Sequence, residues 1–112
     1  MLKQSLTGIM LSLMFALLGS HAIAATPQYE LTIAEHRFTP AEIVIPANTR
    51  VRLIVHNKDN SPEEFHSDSL HREKIIGPNM TGKINIGPLA PGVYTFMGEF
   101  HARTAQGQVV VK

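Results

Sequence analysis

The chain has 112 residues, with ten Lys and Arg against nine Asp and Glu, six His, no Cys and a formal net charge of +1. So small a charge argues against nucleic acid or an anionic membrane as the partner. The lack of Cys excludes a disulfide framework, a lipid-modified amino terminus, a Cys-based zinc or iron–sulfur site and a thiol nucleophile.

The amino-terminal stretch reads as an export signal. Lys3 supplies a positive start, Ile9 to Leu18 is an apolar run broken only by Ser12, and Ala22-Ile23-Ala24 is a small-x-small cleavage site. The run is about half the ~20 residues that a membrane-spanning helix needs, so cleavage is expected and not anchoring. The expected division is a signal peptide at 1–24 and one domain at 25–112, periplasmic in a cell with two membranes. Lys3 is the only Lys or Arg before Ala25, so the domain itself carries no net charge. A domain this short has only a modestly stabilising core.

Short apolar segments then alternate with Pro, Gly and Asn. Tyr29, Leu31 and Ile33 alternate with polar residues, as do Val51, Leu53 and Val55 with Arg50, Arg52 and His56. This is the period of half-buried strands. Ile43-Val44-Ile45 is bounded by Pro40 and Pro46, and a helical turn is expected around Ser69 to Ile76. Ile84 and Ile86 alternate with Lys83 and Asn85, and Pro88 to Gly92 forms a turn into a strand over Val93 to Met97. A last strand carries Gly107, Val109 and Val111. The pattern predicts an all-β fold, a Greek-key β-sandwich of six to eight strands in which two half-apolar sheets bury each other. No Gly-x-Ser-x-Gly elbow, phosphate-cradling loop or His-Glu-x-x-His helix supports a hydrolase or transferase.

Several motifs carry a resemblance. Arg37-Phe38-Thr39-Pro40-Ala41-Glu42, Ser61-Pro62-Glu63-Glu64-Phe65-His66-Ser67, Arg72-Glu73-Lys74, and Gly87 to Gly92 running on through Tyr94-Thr95-Phe96 to Gly98-Glu99-Phe100-His101 together resemble the EfeO-type cupredoxin-like domains of bacterial iron and copper handling. In cupredoxins a Tyr-x-Phe-x-Cys strand enters a loop that gives Cys, His and usually Met to copper. Here Tyr94, Phe96, His101, Gly107, Val109 and Val111 fit that frame, but Gly98 stands at the cysteine position. The resemblance implies a cupredoxin-like fold that binds copper or iron. It further implies an accessory role beside a membrane iron permease or another periplasmic subunit in ferrous-iron uptake, with Fe(II) oxidation as the attendant chemistry.

It also implies that the segments Glu63 to Asp68 and Met97 to Gln106 meet at one end of the sandwich. Glu64 and His66 are two apart and share a strand face, and the sequence leaves open which holds the first-ligand position. His101 matches a family ligand directly, and Met97 and Glu99 flank Gly98. The expected ligand set is thus Glu64, His66, Met97, Glu99 and His101, with Gln106 or Ala105 near the axial position. Imidazole with carboxylate suits Cu(II) or iron, and thioether suits Cu(I). Without the thiolate of a blue site, binding or slow oxidation of a metal is expected in place of rapid electron transfer. His71 and Glu73 belong to an exposed turn with a secondary site or partner surface as the alternative, while His36 and His56 are expected to be structural or exposed, away from the ligands. Phe65 and Phe100 are candidates to keep water from the site. Two other functions fit the same residues: a copper carrier or resistance protein without turnover, and a metal-free scaffold acting through a protein interface. Met80 and Met97 are the only methionines after the signal, too few for a Met-rich Cu(I) store.

Overall fold

Alternation of buried and exposed side chains decides which way each strand faces, and in this protein it builds two sheets around one apolar core. The computed structural model describes residues 25–112, and the expected signal at 1–24 lies outside the described residues. The strands are β1 (Gln28–Ala34), β2 (Arg37–Thr39), β3 (Glu42–Ile45), β4 (Val51–Asn57), β5 (Glu63–Ser67), β6 (Arg72–Ile76), β7 (Thr81–Ile86), β8 (Gly92–Gly98) and β9 (Gln106–Val111). One sheet has the order β2-β1-β4-β7 and the other β3-β9-β8-β5-β6. The pairs β1 with β4 and β3 with β9 are parallel, and the remaining pairs are antiparallel. The expected all-β sandwich is therefore present, with nine strands among the described residues against the expected six to eight, because β6 forms in place of the expected helical turn and the short β2 pairs with β1. No helix among the described residues is long and apolar enough to cross a membrane.

Leu31, Ile33, Val51, Leu53, Val55, Phe65, Val109 and Val111 are fully or almost fully buried between the sheets. Phe96 packs edge-on to Phe38 at 4.9 Å and stacked with Phe65 at 5.0 Å between ring centroids. These arrangements place the positive ring edges or offset faces against π-density.

The helical turn expected over Ser69 to Ile76 is replaced by a turn and β6. Leu70 N donates to Ser67 Oγ, His71 N donates to Asp68 O, and His71 takes φ +54° to reverse the chain. The residues that follow then pair antiparallel with β5 from Ser67 opposite Arg72 to Glu63 opposite Ile76. The free edge of β5 offers a ladder of backbone partners that one isolated helical turn does not.

Candidate metal centre

β5 alternates strictly: Glu63, Phe65 and Ser67 are buried, while Glu64 and His66 lie on the other face. The inward acid is therefore Glu63, whose side chain is only 2% exposed. Its Oε1 accepts hydrogen bonds from the backbone N–H groups of Glu64 at 3.0 Å and Phe100 at 2.9 Å. Its Oε2 lies 2.6 Å from His101 Nδ1. A buried carboxylate without partners would be costly, and these contacts supply them.

His101 ends the 3-10 turn Glu99–His101 that follows β8. Its carbonyl accepts from the N–H groups of Thr104 and Ala105, and Gly98 N donates to Ala105 O at 2.8 Å, so the loop closes on itself before β9. Gly98 faces Glu63. A Cβ added there would lie 2.6 Å from Glu63 Cδ and 2.7 Å from Ala105 Cβ. The space a cysteine side chain would enter is thus already filled by the Glu63 carboxyl group.

His36 completes the group. It sits with Glu35 in the two-residue turn joining β1 to β2, where both take positive φ, 51° and 57°. Both central residues of a type I′ hairpin turn require this conformation, which non-glycine residues adopt at a cost. Asp59 offsets that cost by accepting Glu35 N at Oδ1, 2.8 Å, and His36 N at Oδ2, 3.0 Å. Burial pushes the Asp59 carboxyl up, but the two amide hydrogen bonds and the nearby imidazoles outweigh it and hold the group below its ordinary 3.8. Asp59 is placed in turn by buried Asn57, whose Oδ1 accepts Asp59 N and whose Nδ2 donates to the carbonyls of Ser61, Ile76 and Gly77.

Held this way, the His36 ring stacks on His101 with centroids 3.6 Å apart and planes 10° from parallel. The expectation that His36 lies away from His101 is corrected by this turn, whose sequence Glu35-His36 carries none of the usual Asn-Gly signal. His36 Nδ1 is buried without a hydrogen bond. Asp59 Oδ2 is 3.4 Å from it, in a direction that does not make one. His36, Glu63 and His101 can each bring a ligand atom within 4.8 Å of the others.

The remaining expected ligands fall elsewhere. Glu64 and His66 gather with Glu73 in a second group on the outer face of the five-stranded sheet. Met97 is the direct cross-strand partner of His66. Glu99 is exposed, with its charge acting on His66. Gln106 donates to Ala102 O and ties down the loop. His56 lies on the other sheet between Thr81 and Glu30, away from both groups. Phe65 is buried in the core, whereas Phe100 is 47% exposed and leaves His101 reachable from solvent.

Two parallel-and-antiparallel sheets with a histidine loop between the last strands define a cupredoxin-type sandwich. Residues 7–111 match the family described as Cupredoxin-like domain, and the chain belongs to that family. It is 45% identical over 84 residues to an uncharacterized protein of Rickettsia prowazekii, covering 75% of this chain and 67% of the other. Among solved structures it is similar to auracyanin A, a blue copper protein of Chloroflexus aurantiacus, at TM-score 0.67 and 14% identity, over 79% of this chain and 100% of that one. It is also similar to the metal-binding domain of the Cu(I)-exporting P-type ATPase CopA of Streptococcus pneumoniae, at TM-score 0.67 and 17% identity, over 81% and 91% of the two chains. At these identities the structural likeness establishes the fold.

The donors at the sandwich end fit a borderline transition metal. They offer two imidazoles and one carboxylate, which suit Cu(II) and iron, and one nitrogen of His36 lies within reach of the Glu63 and His101 ligand atoms.

Proposed function

We propose that this protein is an exported metal-binding cupredoxin that holds copper or iron at Glu63, His101 and His36, and serves as the accessory subunit of a ferrous-iron uptake system. The observation that carries the reading is the Glu63–His101 contact at 2.6 Å beside Gly98, with the His36 ring stacked on His101 and one of its nitrogens within reach of the pair. A bound cation would take the place of the proton shared by Glu63 and His101. When bound, the metal supplies a redox couple able to accept an electron from Fe(II). The chain's own residues contribute a buried carboxyl group, an imidazole held against it and a solvent-reachable edge at His101.

The pairing with an iron permease rests on the EfeO-type motifs, and its test is cellular. Cells lacking the gene should accumulate less labelled Fe(II) under iron limitation, and the His101→Ala gene should fail to restore uptake. Unchanged uptake in the deletion strain would remove the iron role and leave a copper carrier. A second reading, a scaffold without metal, is favoured by the fact that Glu63 and His101 already satisfy one another by a direct hydrogen bond.

A further inference from the structure

On the outer face of the five-stranded sheet, Glu73 of β6, His66 of β5 and Met97 of β8 stand in one row, because His66 is the cross-strand partner of both. Glu64 stands two residues along β5 on the same face. The His66 ring is flanked by carboxylates on both nitrogens: Nδ1 is 3.2 Å from Glu73 Oε1 and Nε2 is 2.8 Å from Asp68 Oδ1. A neutral imidazole carries one proton, so one of those nitrogens would direct a lone pair at a carboxylate oxygen. Either a second ring proton or a cation bound at Nδ1 removes the conflict. Glu64, His66 and Glu73 can bring their ligand atoms within 4.8 Å of one another.

We infer that Glu64, His66 and Glu73 form a second, solvent-open site for a divalent transition-metal cation, with Asp68 orienting His66 through Nε2. Asp68 would then do for this ligand what a carboxylate behind a metal-bound imidazole generally does, fixing its tautomer and ring orientation. The donors are one nitrogen and two carboxylates, suited to Zn(II), Mn(II) or Fe(II) more than to Cu(I), with Met97 beside them as a soft neighbour. This site lies across β5 from Glu63, on the opposite face of the same strand, and stands or falls independently of the sandwich-end centre. Its exposure makes it an exchange site, from which a captured ion is readily passed on.

Calorimetric titration with redox-inert Zn(II) tests the inference. The protein should bind two equivalents, His66→Ala with Glu73→Gln should bind one, and Glu63→Gln with His101→Ala should also retain one. Asp68→Asn should weaken the outer equivalent by roughly 10- to 100-fold. None of the outer residues belongs to the core, so circular dichroism should report the same fold for the outer variants. As a second measurement, substoichiometric Mn(II) should broaden the amide resonances of residues 64–66 and 73 in the Glu63→Gln, His101→Ala protein. Zn(II) stoichiometry unchanged by His66→Ala with Glu73→Gln, or Mn(II) broadening that spares those residues, would overturn the second site. Loss of all binding in the Glu63 and His101 variant alone would do the same while leaving the first centre standing.

Discussion

His101 and Glu63, 38 residues apart in the chain, meet at 2.6 Å where the loop between β8 and β9 folds over the first residue of the neighbouring strand β5. The Glu63 carboxyl group fills the space beside Gly98, the position that the sequence frame aligns with a cupredoxin cysteine. It joins the two functional segments electrostatically and not through a thiolate.

The first prediction concerns stability at that contact. In Glu63→Gln the amides of Glu64 and Phe100 keep an acceptor, but His101 loses the charged oxygen facing its Nδ1. The expected loss is about 2 kcal/mol, the range for a hydrogen bond to a charged group. Urea unfolding of the metal-free protein should show it as a lower midpoint at unchanged slope.

Gly98 provides a second test. Because a Cβ there would press on Glu63 Cδ and Ala105 Cβ, Gly98→Ala should destabilise the fold by about 1–3 kcal/mol, the usual cost of overpacking. Gly98→Cys alone should not create a blue copper site, since the Glu63 carboxylate occupies the thiolate's space and a His₂Cys plane is not formed. Visible absorption of the Cu(II)-loaded wild type and of Gly98→Cys checks this. An intense blue product from either would contradict the stated packing.

How much of this was legible in the chain differs from part to part. The strands were legible because Leu31 and Ile33, Val51 to Val55, and Ile84 and Ile86 alternate with polar neighbours, and that period fixes which face is buried. His101 was legible from the Tyr94-to-Gly107 frame. The acid that meets it was not, because Ser61-Pro62-Glu63-Glu64-Phe65-His66 offers three candidate ligands on one short strand, and a one-residue change of register exchanges the faces. The buried neighbour Phe65 could have decided it: if Phe65 points inward, so does Glu63. His36 was hidden for another reason. Its approach depends on a positive-φ turn held by Asp59, a side chain more than twenty residues away in sequence.

That anchoring leads to a third prediction. Asp59→Ala removes both acceptors of the Glu35–His36 turn and should free the His36 ring from His101. Nuclear Overhauser contacts between the two imidazoles should disappear while the core resonances of Phe38, Phe65 and Phe96 stay in place. The Asp59 carboxyl is held below 3.8, so its contribution to stability is present above that value and is lost as the pH falls through the folded-state value. In Asp59→Asn this acid-side loss should be absent.

His66 titrates in the opposite sense. Its hydrogen bond with Asp68, against a smaller effect of burial and with support from the charges of Asp68, Glu99 and Glu73, raises it above the ordinary imidazole value of 6.5. The folded state therefore holds this proton more tightly than the unfolded chain. The resulting stabilisation is complete below 6.5 and fades as the pH rises through the folded-state value. Proton resonance titration of the His66 ring should give a midpoint above 6.5 in the metal-free protein, and Asp68→Asn should move it back down.

The central claim is that Glu63 and His101 hold a metal ion, and calorimetric titration of Cu(II) into the wild type, Glu63→Gln and His101→Ala tests it most directly. The account predicts a tight equivalent in the wild type that both substitutions weaken or abolish while the outer face retains its own binding. Binding of Cu(II) to His101→Ala as tight as to the wild type would contradict it.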